Sequence, residues 1–433
     1  MYNKSVIAWA MYDWANSAFA TTVMAGFFPL FFKMYYSSGS DAFTSTAQLG
    51  FSNSIASLAV ALIAPVLGAI ADAGFYKKKF LLFFAIIGIL MTASLYFVEK
   101  GMWEFAAFIY VSAAIGFAGS NLFYDSLLPI VANKKQSDRI SVLGFALGYL
   151  GGGILFLINV LMYKYPESFG ISDQIQAIKI SFVSVSLWWL LFSLPLMIFV
   201  KERKGRHISL SKSVTAGYRS VIKTFKKIRT LKTVSLFLIA YWLYIDGVDT
   251  IIRMAVDYGM SIGLETSDLI VSLLIVQFIG FPATLLFGKL SQFASAKSLI
   301  IAALCVYIFV TIWAVFIDSS SDFFILALLI GMVQGGIQAL SRSFYSRIIP
   351  HKNIAEFFGF YNLLGKFAAI LGPLMIGFTG MATGNSRVGI ASIVLLFLAG
   401  GFLLLKVDEN QGEKESAQFE EENGKTGSEN NFV

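Results

Sequence analysis

Twelve stretches of this 433-residue chain run apolar for about 20 residues each, long enough for a helix to cross the ~30 Å hydrocarbon core of a bilayer. Inside lipid every backbone N–H and C=O must be satisfied by the segment itself or by a closed sheet, so only helices and barrels are open to such a chain. Unbroken apolar runs without period-two alternation exclude the barrel. Hydrophobic residues make up 57% of the sequence and charged residues 14%, with a mean hydropathy of +0.72. An all-α membrane protein of twelve transmembrane helices, in two pseudo-symmetric six-helix bundles, follows.

The spans are read at 6–32, 49–71, 80–98, 104–130, 140–162 and 177–200, then 233–256, 267–289, 298–317, 322–345, 355–378 and 386–405. Residues 1–200 thus form an N-terminal bundle and 233–405 a C-terminal bundle. Between them lies a basic linker, 201–232, where Val214, Tyr218, Val221, Ile222, Phe225 and Ile228 recur at helical spacing. That pattern predicts an amphipathic helix on the inner leaflet. Residues 406–433 are acidic and poor in apolar side chains and are expected to be a disordered cytoplasmic tail.

With the N-terminus placed inside, 26 of the 33 lysines and arginines fall in inner segments and 6 in outer ones, Arg253 among the latter. This bias predicts both termini and the linker in the cytoplasm, in a multi-pass protein of the inner (plasma) membrane. The formal charge of +7 therefore marks orientation and not a nucleic-acid partner. The first span carries Asp13, is too long and lacks a small-residue cleavage site, so it does not read as a cleavable signal. His207 and His351 are both in loops and Cys305 is the single cysteine. No metal site, cofactor or catalytic triad has the residues it needs, so neither a metal nor a cofactor is expected, and the chain is not read as an enzyme.

Charged and polar residues within spans are costly and usually face a cavity or a partner. Asp13 and Asn16 lie three apart on span 1 and share a face. Asp246 and Asp249 repeat the pattern on span 7, with Ser17 answered by Thr250. "YDSLLP" at 124–129 and "YSRIIP" at 345–350 end spans 4 and 10, and Gly68 and Gly288 stand at the ends of spans 2 and 8. Two repeated six-helix halves are the signature of alternating-access carriers. The carboxylates then serve proton coupling or capture of an ammonium group, or else they lock the bundle by pairing with neighbouring helices. "GFALGYLGGG" on span 5 reads as close helix packing and not as a nucleotide loop.

These motifs resemble the major facilitator superfamily. "YDWANSAFATTV" (12–23), "RISVLGFALGYLGGG" (139–153), "YIDGVDTIIRMA" (244–255), "GGIQALSRSFYSRIIP" (335–350) and "EFFGFYNLLGKFAAILGP" (356–373) are similar to the branch of vacuole-effluxer-like proteins. The resemblance implies a secondary carrier in which spans 1, 4, 7 and 10 line a central cavity. It also implies amino acids or similar zwitterions as substrates and efflux as a direction, while the buried carboxylates point to protons as the coupling partner. A monomer embedded in the bilayer, with a small-molecule substrate and no nucleic acid, is expected. The implied pathway residues are Asp13, Asn16, Asp246, Asp249, Gln334, Gln338, Asn362 and Lys366. Lys366 would bind a substrate carboxylate or neutralise a buried aspartate, and Gln334 and Gln338 would bind substrate or join helices.

The superfamily loop after span 2 reads here "GAIADAGFYKKK", with Ala73 where an arginine is usual and its glycine displaced. In the second-half copy, "GKLSQFASAK", Gln292 takes the acidic position. Asp72, Lys77 and Lys78 are the expected cytoplasmic gate latch, Asp72 capping the start of helix 11, with Asp125 and Arg342 as further gate charges. A non-transporting receptor or scaffold, or an intramembrane enzyme, are the competing classes. The enzyme lacks a nucleophile–base pair at membrane depth, and the receptor predicts that the buried acids can be neutralised without loss.

Overall fold

Asn3 opens the first helix: its side chain accepts the Val6 N–H at 2.8 Å, satisfying one of the donors that every helix start leaves over. The computed structural model describes residues 3–39, 42–202, 230–351, 354–383 and 386–429. The first half consists of α1 (Lys4–Tyr36), α2 (Ala42–Gly74), α3 (Lys77–Phe97), α4 (Trp103–Val131), α5 (Ser137–Lys164) and α6 (Gln174–Phe199). The second consists of α7 (Lys232–Ser261), α8 (Thr266–Leu290), α9 (Ala296–Phe316), α10 (Ser320–Ile348), α11 (Ile354–Thr383) and α12 (Arg387–Leu405). Among the described residues ten of these are long and apolar enough to span a bilayer. The 33-residue α2 and 30-residue α11 complete the twelve. Asp173, Ser295 and Ser319 cap α6, α9 and α10 in the manner of Asn3.

The internal repeat survives in the packing. α1 lies along α5 and α6 as α7 lies along α11 and α12; α3 pairs with α4 as α9 pairs with α10. Between the halves, α2 runs along α11 and α5 along α8, which are the same pair under the repeat. The two glycines matched in sequence mark these seams. A Cβ on Gly68 would meet the Ala355 carbonyl oxygen at 2.2 Å, and one on Gly288 would meet Val142 Cγ1 at 2.6 Å. Only a residue without a side chain lets the backbones approach so closely, as in other membrane helix pairs.

The small residues of α5 also accommodate α1. Gly144 faces the Asp13 carboxylate, Gly148 the Ser17 hydroxyl and Gly151 the Trp14 ring. Past this contact α1 widens into π-helical turns at Phe19–Phe27 and again at Phe32–Tyr36, a distortion concentrated at functional segments of helices.

The tail departs from expectation. Instead of being disordered, Glu409–Glu429 forms a helix, α13, against the face of the bundle that holds both chain ends. Its acids find donors there: Glu409 pairs with Arg347, Glu415 accepts the Thr233 N–H at 3.0 Å, and Glu420 accepts the His351 N–H. Phe419 is buried beside Phe357. Composition predicted too little apolar area for folding alone; the bundle supplies the missing surface and charge. The amphipathic helix expected within 207–232 lies almost wholly outside the described residues, and Cys305 is exposed.

Candidate functional site

A buried ionic clamp joins the two halves. Arg342, on α10, is 3% exposed. Its Nη1 donates to Oδ1 of Asp125 at 3.1 Å and its Nη2 to Oδ2 of Asp13 at 3.4 Å, on α4 and α1 respectively. Nε reaches the Ser141 hydroxyl and Nη2 the Ser141 carbonyl, both at 2.9 Å. Asp13 also accepts the Tyr124 hydroxyl at 2.7 Å. The guanidinium lies over the rings of Phe145 and Trp9, 4.3 and 4.9 Å from their centroids. These aromatic walls exclude water, so each charge interaction is strong and each unpaired charge would be costly. Two carboxylates share one cation.

On the same face α5 and α10 are zipped further. Ser141 donates to the Ala339 carbonyl at 2.8 Å, Ser137 and Ser346 are 2.9 Å apart, and Arg347 holds Asp138. At the α2–α11 seam, Asp72 accepts the Glu356 N–H at 2.9 Å, in the first turn of α11, and pairs with Lys77 at 2.8 Å. This is the position to which the resemblance assigns it, where free N–H groups and the helix dipole favour an anion. Lys78 turns away to the Met197 and Val200 carbonyls, at 2.9 and 2.5 Å, and serves α6 instead of the seam. With glycine displaced to Gly74, Phe75 takes a left-handed conformation, φ 56°.

The remaining sequence-chosen residues do not gather at one point. Asn16 bonds Asn121 of α4 at 2.5 Å. Asp246 is fully buried on the α7–α11 contact, where Oδ1 accepts the Gly372 N–H at 2.9 Å and the Thr250 hydroxyl at 3.2 Å. Its Oδ2 has no hydrogen-bond partner among the described residues. Asp249 is half-buried on the next turn. Asn362 donates to the Phe358 carbonyl at 2.9 Å and approaches Asp125. Gln334 meets Tyr149, Gln338 is half-buried a turn later, and the side chain of Lys366 is outside the described residues. A cavity of about 170 Å³ opens beyond the clamp, with Thr21, Tyr258, Gln277, Thr311, Phe323 and Gln334 among its walls. Thr21 is eight residues past Asp13, or about 12 Å at the helical rise.

Sequence reading missed Tyr124, Ser141, Asp138 and Arg347 as clamp members. Tyr124, Ser141 and Arg347 stand inside quoted motifs and Asp138 directly precedes one; Tyr124 and Tyr345 hold corresponding places in "YDSLLP" and "YSRIIP", as do Ser126 and Arg347. That reading counted Arg253 only among the charges of the outer side, at the end of span 7, and gave it no place on the pathway; the residue lies within α7. Among the described residues no three His, Cys, Asp or Glu side chains are grouped as a metal site would require.

Two repeated six-helix halves, clamped across one face and enclosing a cavity beyond it, have the architecture of major facilitator transporters. The fold matches the proton:xylose symporter XylE bound to 6-bromo-6-deoxy-D-glucose with a TM-score of 0.67 at 14% identity, over 96% of this chain and 97% of that one. The chain belongs to the family described as "Vacuole effluxer Atg22 like", which it matches over residues 39–417. It is 38% identical to the uncharacterized MFS-type transporter YxiO of Bacillus subtilis (strain 168), over 96% of this chain and 98% of that one. It is 24% identical to Autophagy-related protein 22 of Yarrowia lipolytica, over 84% and 75%. Family and fold are those of multi-pass membrane transporters, which are not enzymes.

Proposed function

We propose that this chain is a secondary carrier moving a small zwitterion, of the amino-acid class, by alternating access coupled to protons. The effluxer family name suggests export as the direction. The lysine and arginine bias supports a cytoplasmic side for both termini and the clamp, in a carrier of the plasma membrane. The observation that carries the reading is the clamp itself: Arg342 on one half holds Asp13 and Asp125 on the other. The halves cannot part on that side while the guanidinium is between the carboxylates. Parting them exposes one cation and two anions to water and closes the opposite side, which is the rocking motion the repeat permits.

Charge counting supplies the coupling. With both carboxylates ionised the clamp holds a surplus negative charge in a dry, aromatic-walled site, and a proton taken up by Asp13 or Asp125 removes that charge. Asp246 offers a second station, since its Oδ2 is buried without a donor among the described residues. The purified chain in proteoliposomes, given an amino-acid panel with and without a pH gradient, is expected to accumulate at least one panel member only when the gradient is present. Accumulation that is indifferent to the gradient would remove the proton, and no uptake of any panel member would remove the substrate class.

A further inference from the structure

Arg253 lies on α7, two turns before its end at Ser261. Half-buried, it lines a small recess between the halves, with Met24 of α1, Asn53 and Ser57 of α2, and Phe117 of α4. Among the described residues its guanidinium makes no hydrogen bond or ion pair, and it lies within electrostatic reach of Tyr110. The contrast with the other arginines packed in the bundle is direct: Arg342 holds Asp13 and Asp125, and Arg347 holds Asp138 and Glu409. Half-buried between the halves and making no ion pair among the described residues, this guanidinium is placed to take an anion. Helical side chains lean toward the helix N-terminus, so this one leans along α7 toward the clamp and away from the nearer bilayer surface.

The wall facing Arg253 is held in place. The Tyr110 hydroxyl donates to Asn53 Oδ1 at 2.9 Å, and Asn53 Nδ2 donates to the Leu49 carbonyl at 3.2 Å. Met24 is eleven residues beyond Asp13, about 16 Å at the helical rise, so the recess is on the far side of the closed clamp. Asp249 precedes Arg253 by four residues on the same face of α7.

We propose that Arg253 is the anion-binding residue of the transport pathway, receiving the carboxylate of the solute in a two-pronged charge-assisted pair. The inference rests on the carrier reading, and it names the residue that distinguishes an acid from its uncharged analogue.

Two arms test it. The first needs no substrate: in the full chain carrying Cys305→Ala and Ser57→Cys, the position-57 thiol is labelled in membranes with the anionic reagent methanethiosulfonate-ethylsulfonate and with its trimethylammonium counterpart. The anionic reagent is expected to react faster, by about tenfold relative to the cationic one, and Arg253→Gln should abolish that preference while Arg253→Lys keeps it. Equal rates with Arg253 in place would overturn the proposal without reference to any variant's folding. The second arm uses the panel amino acid that the parent accumulates and that amino acid's carboxamide as competitors. The parent should prefer the acid by 100-fold or more and Arg253→Gln should compete with the two equally; a preserved preference would refute the assignment. A parent that takes up no panel amino acid defeats the substrate class, and the labelling ratio then decides alone on the anion site.

Discussion

The Arg342 guanidinium, carried by the second half of the molecule, lies 3.1 Å from the Asp125 carboxylate of the first. Both side chains are buried, and Asp13 completes the contact from α1. Arg342→Gln keeps most of the volume and leaves two carboxylates without a cation. Removing one partner of a buried pair costs about 3–5 kcal/mol, and the closed face is where that cost falls. In a Cys305→Ala background, a thiol introduced by Asn16→Cys should become reactive from the side of the termini in Arg342→Gln and stay protected in the parent. Equal protection in both would show that the pair does not hold the halves together.

The α2–α11 seam should yield in the same direction by two independent routes. Asp72→Asn removes the anion at the start of α11, worth about 1–3 kcal/mol for a charged hydrogen bond. Gly68→Ala places a methyl group where the Ala355 carbonyl oxygen is only 2.2 Å away. Neither change touches the clamp, so each should raise the labelling rate at position 16 less than Arg342→Gln does. A Gly68→Ala protein indistinguishable from the parent in both labelling and thermal stability would mean that the seam is looser than described.

The docked tail makes a third expectation. Phe419 is buried against the bundle and Glu409 shares Arg347 with Asp138. Phe419→Ala should cost about 2 kcal/mol, the value for re-exposing a large apolar side chain, and lower the melting temperature in detergent. Truncation after Asp408 should lower it further. An unaltered melting temperature in the truncated protein would leave α13 as a helix that contributes nothing to the fold.

How much of this was legible in the sequence follows from what each residue must satisfy locally. Spans, repeat and glycine seams were legible because lipid enforces them: twelve apolar runs, and Gly68 matched by Gly288. Asp125 and Arg342 were legible as charges near the ends of spans 4 and 10, and Asp72 as the cap of α11 because its loop resembles that of a known family. Asp13 was placed on the pathway, yet it also belongs to the clamp, since its partner is 329 residues away and no local pattern announces such a pairing. The tail was misread because composition measures what a segment can bury by itself, not what the bundle offers it. Arg253 was hidden by arithmetic: a charge near the end of a span counts equally well as a loop residue, and only the recess it lines with Asn53 and Ser57 separates the two.

Gly372 tests whether the α7–α11 contact is as tight as Asp246 requires. A Cβ there would meet the Thr250 hydroxyl at 2.0 Å and Asp246 Oδ1 at 3.0 Å. Gly372→Ala should therefore destabilise by about 1–3 kcal/mol, as overpacking does. Thr250→Ala removes the nearer atom, so the double variant should recover part of that loss instead of adding to it. Strict additivity would place the clash elsewhere.

The repeated acids separate coupling from locking. Asp13 faces a cation and a tyrosine across a helix boundary, whereas Asp246 accepts a backbone N–H and leaves Oδ2 without a partner among the described residues. Asn keeps the accepting oxygen and the volume in each case and removes the ability to carry a proton. If these acids couple transport, Asp13→Asn and Asp246→Asn should insert and fold, lose gradient-driven accumulation, and retain counterflow exchange in at least one of the two, because exchange needs binding and movement of the halves but no net proton transfer. Accumulation equal to the parent between pH 6 and 8 in both variants would end the coupling proposal. A failure of Asp246→Asn alone to fold would instead assign that carboxylate to the α7–α11 contact, where Gly372 and Thr250 hold it, and leave Asp13 at the clamp as the residue through which protons and the closed face are joined.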